Sequence, residues 1–292
     1  MNHVNPFSVG QSSEVQRLLN AVGMVAVTTA PVLLQGENGS GKELLARYIH
    51  AQSPRKDNPF VTLRCAVLDG AKLKAEARSA AHGTLFLNGV EDLSAEAQKA
   101  LLMALEIFRQ DQDVRLISAS TSRLEGELEE GAFRSDLYYQ LNVVPLDVPP
   151  LRERREDIVL LLKELTREYA RRYGRKAPSY AVSARNLIKA YKWPGNLREL
   201  RNFAERMVIL MPGMTIKMEN LPAKFRAVPE KRATGGFQLP VEGIDLFEFE
   251  KSLIRQALEM ARGNKSKAAR MLGISRDTLL YRMRKYALDV NR

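Results

Sequence analysis

Cysteine is almost absent from this 292-residue sequence, since Cys65 is its single cysteine. An internal disulfide is therefore excluded, and a lone thiol is typical of proteins that work in a reducing cytosol. Long apolar runs are absent as well, because none approaches the ~20 residues that a membrane-spanning helix needs. The N-terminal sequence MNHVNPFSVG lacks the apolar segment of a secretion signal. These absences predict a cytoplasmic protein with no membrane partner.

Histidine is also rare, with three residues scattered along the chain, so we expect no metal site built from histidine and cysteine. Acidic residues are outnumbered, because 45 Lys and Arg oppose 34 Asp and Glu and leave a formal net charge of +11. An excess of this kind favours an acidic partner, with double-stranded DNA as the first candidate. The hydrophobic share of 45% is ordinary for a globular protein, and the length suggests about two or three domains.

The segment from Pro31 to His50, PVLLQGENGSGKELLARYIH, has the strongest local pattern. A short apolar run predicts a buried strand, a glycine-rich stretch follows it, and the apolar residues after that have helical spacing. The spacing GxxxxGK between a strand and a helix is typical of a loop that binds phosphates through backbone N–H groups and a lysine. Glu43 stands where this motif normally has a serine or threonine that holds Mg²⁺, so we expect ATP or ADP to bind with or without the metal. The candidate nucleotide-binding residues of this loop are Gly36, Glu37, Asn38, Gly39, Ser40, Gly41, Lys42 and Glu43.

Short apolar runs alternate with segments of helical spacing over the first half of the chain. This alternation predicts an α/β fold with a parallel sheet covered on both faces. Basic helical segments predict an all-helical lid, and residues 227–243 carry Pro, Gly and Thr without periodicity and predict a linker. The predicted domains are residues 1–148, 149–226 and 244–292. The predicted strands are 32–34, 60–63, 84–87, 116–119 and 143–148, and the predicted helices include 11–29, 96–108, 133–141, 156–173, 183–191 and 196–210.

The last fifty or so residues have the pattern of a separate helical unit. Asn264 and Ser275 are candidate N-caps of two short helices that Gly273 separates, as in a helix-turn-helix. From Arg262 onward nine Lys or Arg oppose two acidic residues, which gives a local charge of +7. We expect base-contacting side chains near the start of the last helix and phosphate-contacting ones around it. The candidate DNA-binding residues are Lys267, Ser275, Arg276, Thr278, Tyr281, Arg282, Arg284 and Lys285.

Two points about this unit stay open from the pattern alone. A solvated basic hairpin that binds nothing has the same composition as a DNA-binding one. The amphipathic helix around Leu253 is a candidate dimer surface, because two-fold dimers that bind spaced half-sites are the usual arrangement for such motifs.

Five longer segments carry a resemblance to a known family: PVLLQGENGSGKE, GTLFLNGVEDL, GAFRSDLYYQLNVVPLDVPPLRERREDI, YKWPGNLRELRN and GNKSKAARMLGISRDTLLYRMRKY. Together they resemble the bacterial enhancer-binding proteins, AAA+ transcription regulators that remodel RNA polymerase carrying sigma-54 and end in a Fis-type helix-turn-helix. The resemblance extends from Val9-Gly10 to Tyr286. It implies a five-stranded AAA+ core, a helical lid with a nucleotide-contacting Arg198, and a DNA-binding tail. Because it begins at the start of the chain, we expect no receiver or other sensor domain in this sequence.

One departure from the family pattern concerns the acids needed for hydrolysis. In the family the third strand ends in Asp-Glu, which hold Mg²⁺ and polarise the attacking water, whereas here it ends in Asn88-Gly89. Asparagine is a poor ligand for a hard cation, and glycine offers no side chain. Glu91 and Asp92 follow, but we expect their register to fall beyond the strand end. The family asparagine that senses the γ-phosphate corresponds to Thr121.

Two further departures concern transition-state charge and force transmission. Arg134 matches the first of two family arginines, but Gln140 replaces the second, and a neutral amide cannot stabilise transition-state charge. The family also carries a long insertion tipped by GAFTGA, which contacts sigma-54, between the segments that correspond to Cys65-Ala66 and Gly83-Thr84. Here residues 67–82 bridge the interval, enough for one helix and a turn, and GAFTGA does not occur in the sequence.

We therefore predict a DNA-binding transcription regulator that binds ATP or ADP, is deficient in hydrolysis and acts independently of sigma-54, by occupying a promoter or contacting RNA polymerase. No intact catalytic residue is expected, with Asn88, Gly89 and Arg134 as the remnants of the site, and a homodimer or higher homo-oligomer is the expected assembly. One alternative is an ATP-hydrolysing, sigma-54-dependent activator that has recruited a neighbouring acid. Another is a regulatory subunit of mixed rings with a competent relative, in which Arg134 acts in trans.

Overall fold

The structure, a computed structural model, describes Phe7 and residues 10–110, 113–121, 124–226, 244–261, 263–286 and 288. The chain divides into two compact units, Met1–Val228 and Pro229–Arg292. The predicted linker, residues 227–243, lies outside the described residues. In the described part of the chain, no helix is long and apolar enough to cross a membrane.

A five-stranded parallel sheet lies at the centre of the first unit and confirms the predicted α/β class. Alternate strand residues enter two separate cores, since Leu85 and Leu87 lie in one cluster and Phe86 in the other. In register, Gln35 pairs with Ser120, so the carboxyl ends of neighbouring strands meet at one edge. The strands are β1 Val32–Gln35, β2 Phe60–Arg64, β3 Thr84–Asn88, β4 Arg115–Ser120 and β5 Val144–Asp147, in the order β2-β3-β4-β1-β5.

Helices supply the residues that cover the two faces of the sheet. The first and second helices pack in the core that contains Phe86, and the third, fourth and sixth pack in the core that contains Leu85 and Leu87. The helix predicted at residues 11–29 is shorter at both ends, and the one predicted at 133–141 begins at Ser135. These helices are α1 Ser13–Ala26, α2 Lys42–Ala51, α3 Gly70–Ser79, α4 Ala95–Gln110, α5 Leu124–Glu129 and α6 Ser135–Leu141.

The connection between β2 and β3 is short. Cys65–Val67 form a single 3-10 turn, and α3 follows after Asp69, whose carboxylate caps the helix by accepting a 2.7 Å hydrogen bond from the Lys72 N–H. Leu73 and Ala77 of α3 are buried in the core that also contains residues of α4. The expectation that one helix bridges residues 67–82 is confirmed.

The lid packs around its own aromatic core. Trp193 is fully buried, contacts the rings of Phe203 and Phe225, and donates a 2.9 Å hydrogen bond from its indole N–H to the Ile188 carbonyl. The predicted helical lid is confirmed, and it also contains two two-residue strands that pair in parallel. The sequence pattern does not predict this pair, because a run of two residues is too short to show a period-two pattern. The lid elements are α7 Arg155–Arg172, β6 Ser179–Tyr180, α8 Val182–Ala190, α9 Asn196–Leu210, β7 Thr215–Ile216 and α10 Ala223–Arg226.

The described residues of the second unit form three helices, α11 Leu246–Met260, α12 Lys265–Met271 and α13 Arg276–Lys285. The predicted caps are confirmed, because the Asn264 side chain accepts a hydrogen bond from the Lys267 N–H and the Ser275 hydroxyl accepts one from the Thr278 N–H. Between α12 and α13, Gly273 has a φ of +67°, a backbone conformation that favours glycine. A small core that includes Ile254, Leu258, Leu279 and Met283 holds the three helices together.

Candidate nucleotide cleft and nucleic-acid interface

The glycine-rich loop leaves the end of β1 and enters α2, as its local pattern predicts. Gly39 lies at the centre of the loop with a φ of +75°. A Cβ atom there would lie 2.4 Å from the carbonyl oxygen of Gly195 in the lid, so only glycine fits. Gly41 occupies the N-cap position of α2, and the positive end of this helix therefore faces the loop.

Lys42 begins α2, and its ammonium group reaches back over the loop. The side chain donates hydrogen bonds to the carbonyl oxygens of Gly36 and, at 3.1 Å, Glu37, and the residue is only 8% exposed. Burial lowers the pKa of Lys42, and the carboxylate of Glu91 provides the largest opposing effect. In the same loop the buried Ser40 hydroxyl has no hydrogen-bond partner among the described residues. The loop therefore holds a cation and an unpaired hydroxyl inside a turn lined by backbone groups.

Three lid residues hold the loop in this shape. The amide nitrogen of Asn196 donates to the Glu37 carboxylate at 3.1 Å and to the Asn38 carbonyl at 3.0 Å. Arg154 is fully buried and donates to the Ser40 carbonyl at 2.7 Å, and burial lowers the pKa of its guanidinium to about 10. Arg152 forms a two-pronged ion pair with Glu37 at 2.8 and 2.7 Å. The lid and the loop are thus joined as one hydrogen-bonded structure.

A cavity of about 710 Å³ opens beside the loop. This volume is within the usual range of small-molecule sites. Arg198, in the first turn of α9, lines the cavity from the lid and adds a positive charge that lowers the pKa of Lys42. The residues that line the cavity around the loop and the strand ends include Asn38, Gly39, Lys42, Asn88, Thr121 and Arg198. Backbone N–H groups, a lysine and an arginine fit a polyphosphate.

The same cavity does not fit a magnesium ion in the usual way. Glu43 lines the cavity from α2, but its carboxylate is engaged in a 2.9 Å ion pair with Arg47, one turn further along the helix. Asn88 lines the cavity at the end of β3, and Gly89 has a φ of +79° and no side chain. A hard divalent cation prefers carboxylate ligands, and none of these three positions offers a free one.

Glu91 is the residue that the sequence did not assign to the site. The left-handed turn at Gly89 folds the 3-10 segment Val90–Asp92 back toward the end of β4. There the Glu91 carboxylate accepts hydrogen bonds from the Thr121 N–H at 2.8 Å and from its hydroxyl at 2.6 Å. The acid is therefore near the cleft although its position in the sequence lies beyond the strand. The sequence does carry one signal for this placement. Glu91 follows Gly89 by two residues at the end of one strand, and Thr121, a hydroxyl residue, follows the next strand.

Arg134 and Gln140, the positions that correspond to the two family arginines, lie at the start and near the end of α6. Arg134 is exposed and forms a 2.7 Å ion pair with Asp136, which raises the pKa of the guanidinium. Its backbone N–H donates to the Gln98 side chain at 2.9 Å, which anchors the start of α6. Gln140 is half-buried near the end of α6. Neither residue lines the cavity within this unit.

The predicted DNA-binding residues lie on α12 and α13 and the turn between them. The exposed ones are Lys267, Ser275, Arg276, Tyr281, Arg284 and Lys285, whereas Thr278 and Arg282 are half-buried. Four residues of the set also make contacts inside the unit, and one of them is Lys285, whose ammonium lies over the rings of Phe247 and Tyr286. Ser275 caps α13 and hydrogen-bonds the Thr278 hydroxyl at 2.7 Å, and Arg282 is paired with Glu250 of α11. Arg276 and Arg284 keep their guanidinium groups on the surface of α13.

An exposed apolar stripe follows α11 of the same unit. Leu246, Leu253 and Met260 are spaced seven residues apart and are 71%, 39% and 68% exposed. Residues at this spacing lie along one side of a helix. The neighbouring side of α11, about a quarter turn around the helix axis, packs into the core of the unit through Ile254, Ala257 and Leu258.

Three family models match consecutive parts of the chain. Residues 9–151 match the sigma-54 interaction domain, residues 152–236 the AAA+ ATPase lid domain, and residues 246–286 the Fis family of bacterial regulatory proteins. Transcriptional regulatory protein ZraR of Salmonella typhimurium is 42% identical over 94% of this chain and 68% of its own length. Response regulator protein PilR of Pseudomonas aeruginosa is 36% identical over 96% of this chain and 70% of its own length.

Solved structures give the same picture. NtrX from Brucella abortus in complex with ADP superposes with a TM-score of 0.68 and 31% sequence identity, and the match covers 95% of this chain and 68% of that one. NtrX in complex with ATP gives a TM-score of 0.68 and 32% identity over the same shares. The similarity therefore covers both the sheet with its lid and the C-terminal helices.

Proposed function

The chain belongs to the bacterial enhancer-binding regulators, which combine an AAA+ sigma-54 interaction domain with a Fis-type helix-turn-helix, and we propose that it regulates transcription by binding DNA with a nucleotide-dependent unit that does not hydrolyse ATP. In this proposal, residues 1–148 form the nucleotide-binding core, 149–226 the lid and 244–292 the DNA-binding domain. The observation that carries it is a contrast in one cleft. The loop around Lys42 is complete and held by the lid, whereas the end of β3 offers Asn88 and Gly89.

Nucleotide binding is supported by the geometry of the loop. Gly39 permits the close approach of Gly195 from the lid, Lys42 lies over the loop, and Arg198 faces the cavity. The similar NtrX has been solved with ADP and with ATP. Binding needs only contacts made in the ground state, and these residues supply them. We propose that the nucleotide is a structural or switching ligand.

The loss of hydrolysis follows from what the transition state needs. Phosphoryl transfer to water requires a cation on the terminal phosphates, a group that orients the water, and positive charge on the transferred group. Asn88 and Gly89 stand where the family that the sequence resembles has the acids that hold the cation and orient the water. Gln140 stands where that family has an arginine that adds positive charge on the transferred group. A single missing transition-state contact can lower the rate by about 10²–10³-fold, so the combined losses place turnover below a useful rate.

Independence from sigma-54 is proposed from the connection between β2 and β3. In the family that the sequence resembles, this connection carries the loop that contacts sigma-54. Here it consists of one 3-10 turn and α3, whose Leu73 and Ala77 are buried in the core. A helix packed in this way has no projecting tip for a partner. The protein would then act by occupying a promoter or by contacting RNA polymerase directly.

DNA binding is proposed for α12 and α13 as a dimer. The exposed guanidinium of Arg276 at the start of α13 is placed for base edges, and Arg284 and Lys285 are placed for phosphates. The stripe formed by Leu246 and Leu253 on α11 is the proposed dimer surface. Two copies joined there would present two recognition helices to spaced half-sites.

A gel-shift titration with the full chain tests this function. Arg276→Ala should weaken binding to the specific site by about 10–100-fold, as expected for loss of a two-pronged base contact. Arg255→Ala is the matched control, because Arg255 is an exposed arginine on α11, outside the helix-turn-helix. Equal binding by the wild type and the Arg276 variant would count against the assigned DNA interface.

One observation favours the hydrolysing alternative, namely the Glu91 carboxylate beside Thr121. If Glu91 replaced the missing acids, the protein would release phosphate from ATP, and Lys42→Ala would abolish the release. The mixed-ring alternative rests on Arg134, whose exposed side chain could enter a neighbouring subunit's site. Co-purification of a competent relative, lost on Arg134→Ala, would support that alternative.

A further inference from the structure

The turn after β3 places one carboxylate behind the wall of the nucleotide cleft, in contact with Thr121 of that wall. Glu91 lies three residues after Asn88, and both N–H and hydroxyl groups of Thr121 bind one of its oxygens at 2.8 and 2.6 Å. Asn88 and Thr121 line the cavity, as does Lys42. The carboxylate is therefore held directly behind the wall that the terminal phosphate of a bound nucleotide would face.

The second oxygen of Glu91 is buried and has no hydrogen-bond partner among the described residues. A hydrated magnesium ion cannot reach an oxygen that no water can touch, and Mg²⁺ gives up its water shell reluctantly. The Glu91 carboxylate affects the pKa values of two other side chains, Lys42 and Cys65. It opposes the effect of burial on the pKa of Lys42, and it adds to the effect of burial in raising the pKa of Cys65 to about 12. The buried oxygen of Glu91 is thus a poor metal ligand, while the other oxygen is already engaged by Thr121.

We propose that Glu91 makes this cleft select a nucleoside diphosphate over a nucleoside triphosphate. The inference rests on the proposed nucleotide binding and specifies which nucleotide the site holds. Lys42 normally neutralises the terminal phosphates, but here Glu91 already offsets part of its charge. A third phosphate would add negative charge next to the carboxylate. Asn88, Gly89 and Glu43 offer no free carboxylate to hold a metal ion that would screen this charge. Two phosphates are held by the loop N–H groups, which Glu91 does not contact.

Calorimetric titration of the full chain with ADP and with ATP, first in EDTA and then with Mg²⁺, tests the selection. The wild type should bind ADP about tenfold more tightly than ATP, the effect expected for one partly screened charge. Glu91→Gln keeps the acceptor for Thr121 and removes the charge, so it should tighten ATP binding about tenfold and leave ADP within about twofold. Asp92→Asn is the matched control, because Asp92 is an exposed acid in the same 3-10 turn and should leave the ratio unchanged.

The outcomes separate this inference from the proposed function. Equal affinities for ADP and ATP in the wild type would overturn the selection while nucleotide binding stands. Weaker ATP binding by Glu91→Gln in Mg²⁺ would also overturn it, because the carboxylate would then be recruiting a cation. If neither nucleotide bound, nucleotide binding itself would fail, and the selection with it. Glu91→Ala removes the same charge without an amide, and its ATP-to-ADP ratio must shift in the same direction as that of Glu91→Gln.

Discussion

Replacing Asn196 with alanine is expected to uncouple the lid from the phosphate-binding loop. Asn196 is fully buried and has a φ of +49°, a left-handed conformation that asparagine tolerates better than most residues. Its side-chain oxygen accepts a 2.7 Å hydrogen bond from the Leu151 N–H, and its nitrogen donates to Glu37 and Asn38. One side chain therefore joins the start of the lid to two consecutive residues of the loop, which lie more than 150 residues earlier in the chain.

The cost of the substitution can be estimated from these contacts. Leaving the buried Leu151 N–H without a partner costs about 1–3 kcal/mol, and each remaining hydrogen bond contributes about 1 kcal/mol. Holding alanine in the left-handed region adds about 1 kcal/mol relative to asparagine. Because these contributions are not fully additive, we expect a loss of about 3 kcal/mol in the free energy of unfolding. For a unit of this size, that corresponds to a melting temperature lower by about 6–12 °C.

Thermal unfolding followed by circular dichroism and calorimetric titration with ADP measure the two consequences. We expect the Asn196→Ala variant to melt earlier and to bind nucleotide more weakly, since the loop loses its support. Asn196→Asp keeps an acceptor for Leu151 but sets a carboxylate against Glu37, so it should lose nucleotide affinity as well. Asn186→Ala, at an exposed lid position, is the control and should change stability by less than about 0.5 kcal/mol. An Asn196→Ala protein that melts with the wild type would refute this coupling.

Two other predictions concern a charge in the loop and the surface of α11. The pKa of Glu37 is lowered chiefly by hydrogen bonds from Arg152 and then Asn196, so its stabilising effect is present above its unfolded pKa, about 4.3, and is lost as pH falls through the lower folded value. The melting temperatures of the wild type and Glu37→Gln should therefore differ near neutral pH and converge as the solution is acidified through the lowered folded pKa of Glu37; a constant gap would contradict this. Leu253→Glu should shift the full chain from dimer to monomer in sedimentation velocity, whereas Arg255→Glu, on another side of α11, should not; a Leu253→Glu dimer of unchanged strength would exclude this surface.

The phosphate-binding loop was predictable because its information is local. The glycines of the loop, Lys42 and the apolar run before them lie within about a dozen consecutive residues, and the backbone conformation follows from where glycine is needed. The caps Asn264 and Ser275 were predictable for the same reason, since a cap bonds a backbone group two or three residues away. The conformation of the loop and of the caps is therefore determined by residues that are close together in the sequence.

Contacts between distant segments were not predictable from one sequence. Arg154 contacts Ser40 across 114 residues, and nothing in the local pattern of either segment indicates that pairing. Glu91 was expected to lie beyond the site, because a strand register alone does not show that Gly89 turns the chain back toward Thr121. The β6–β7 pair was missed because its two-residue strands are defined by pairing rather than by periodicity. The contacts that the sequence did not predict therefore depend on how segments far apart in the chain pack against each other.

We propose that this cleft holds a nucleotide but does not cleave it. The most direct test of this proposal is the release of phosphate from γ-labelled ATP at millimolar concentration with Mg²⁺, measured for the purified wild type and for Lys42→Ala. The nucleotide that stays bound is recovered in the same experiment and identified as ATP or ADP. We expect the bound nucleotide to be recovered intact and phosphate release to be no faster than that of Lys42→Ala. Release that exceeds the variant's and rises in proportion to wild-type protein concentration would contradict it.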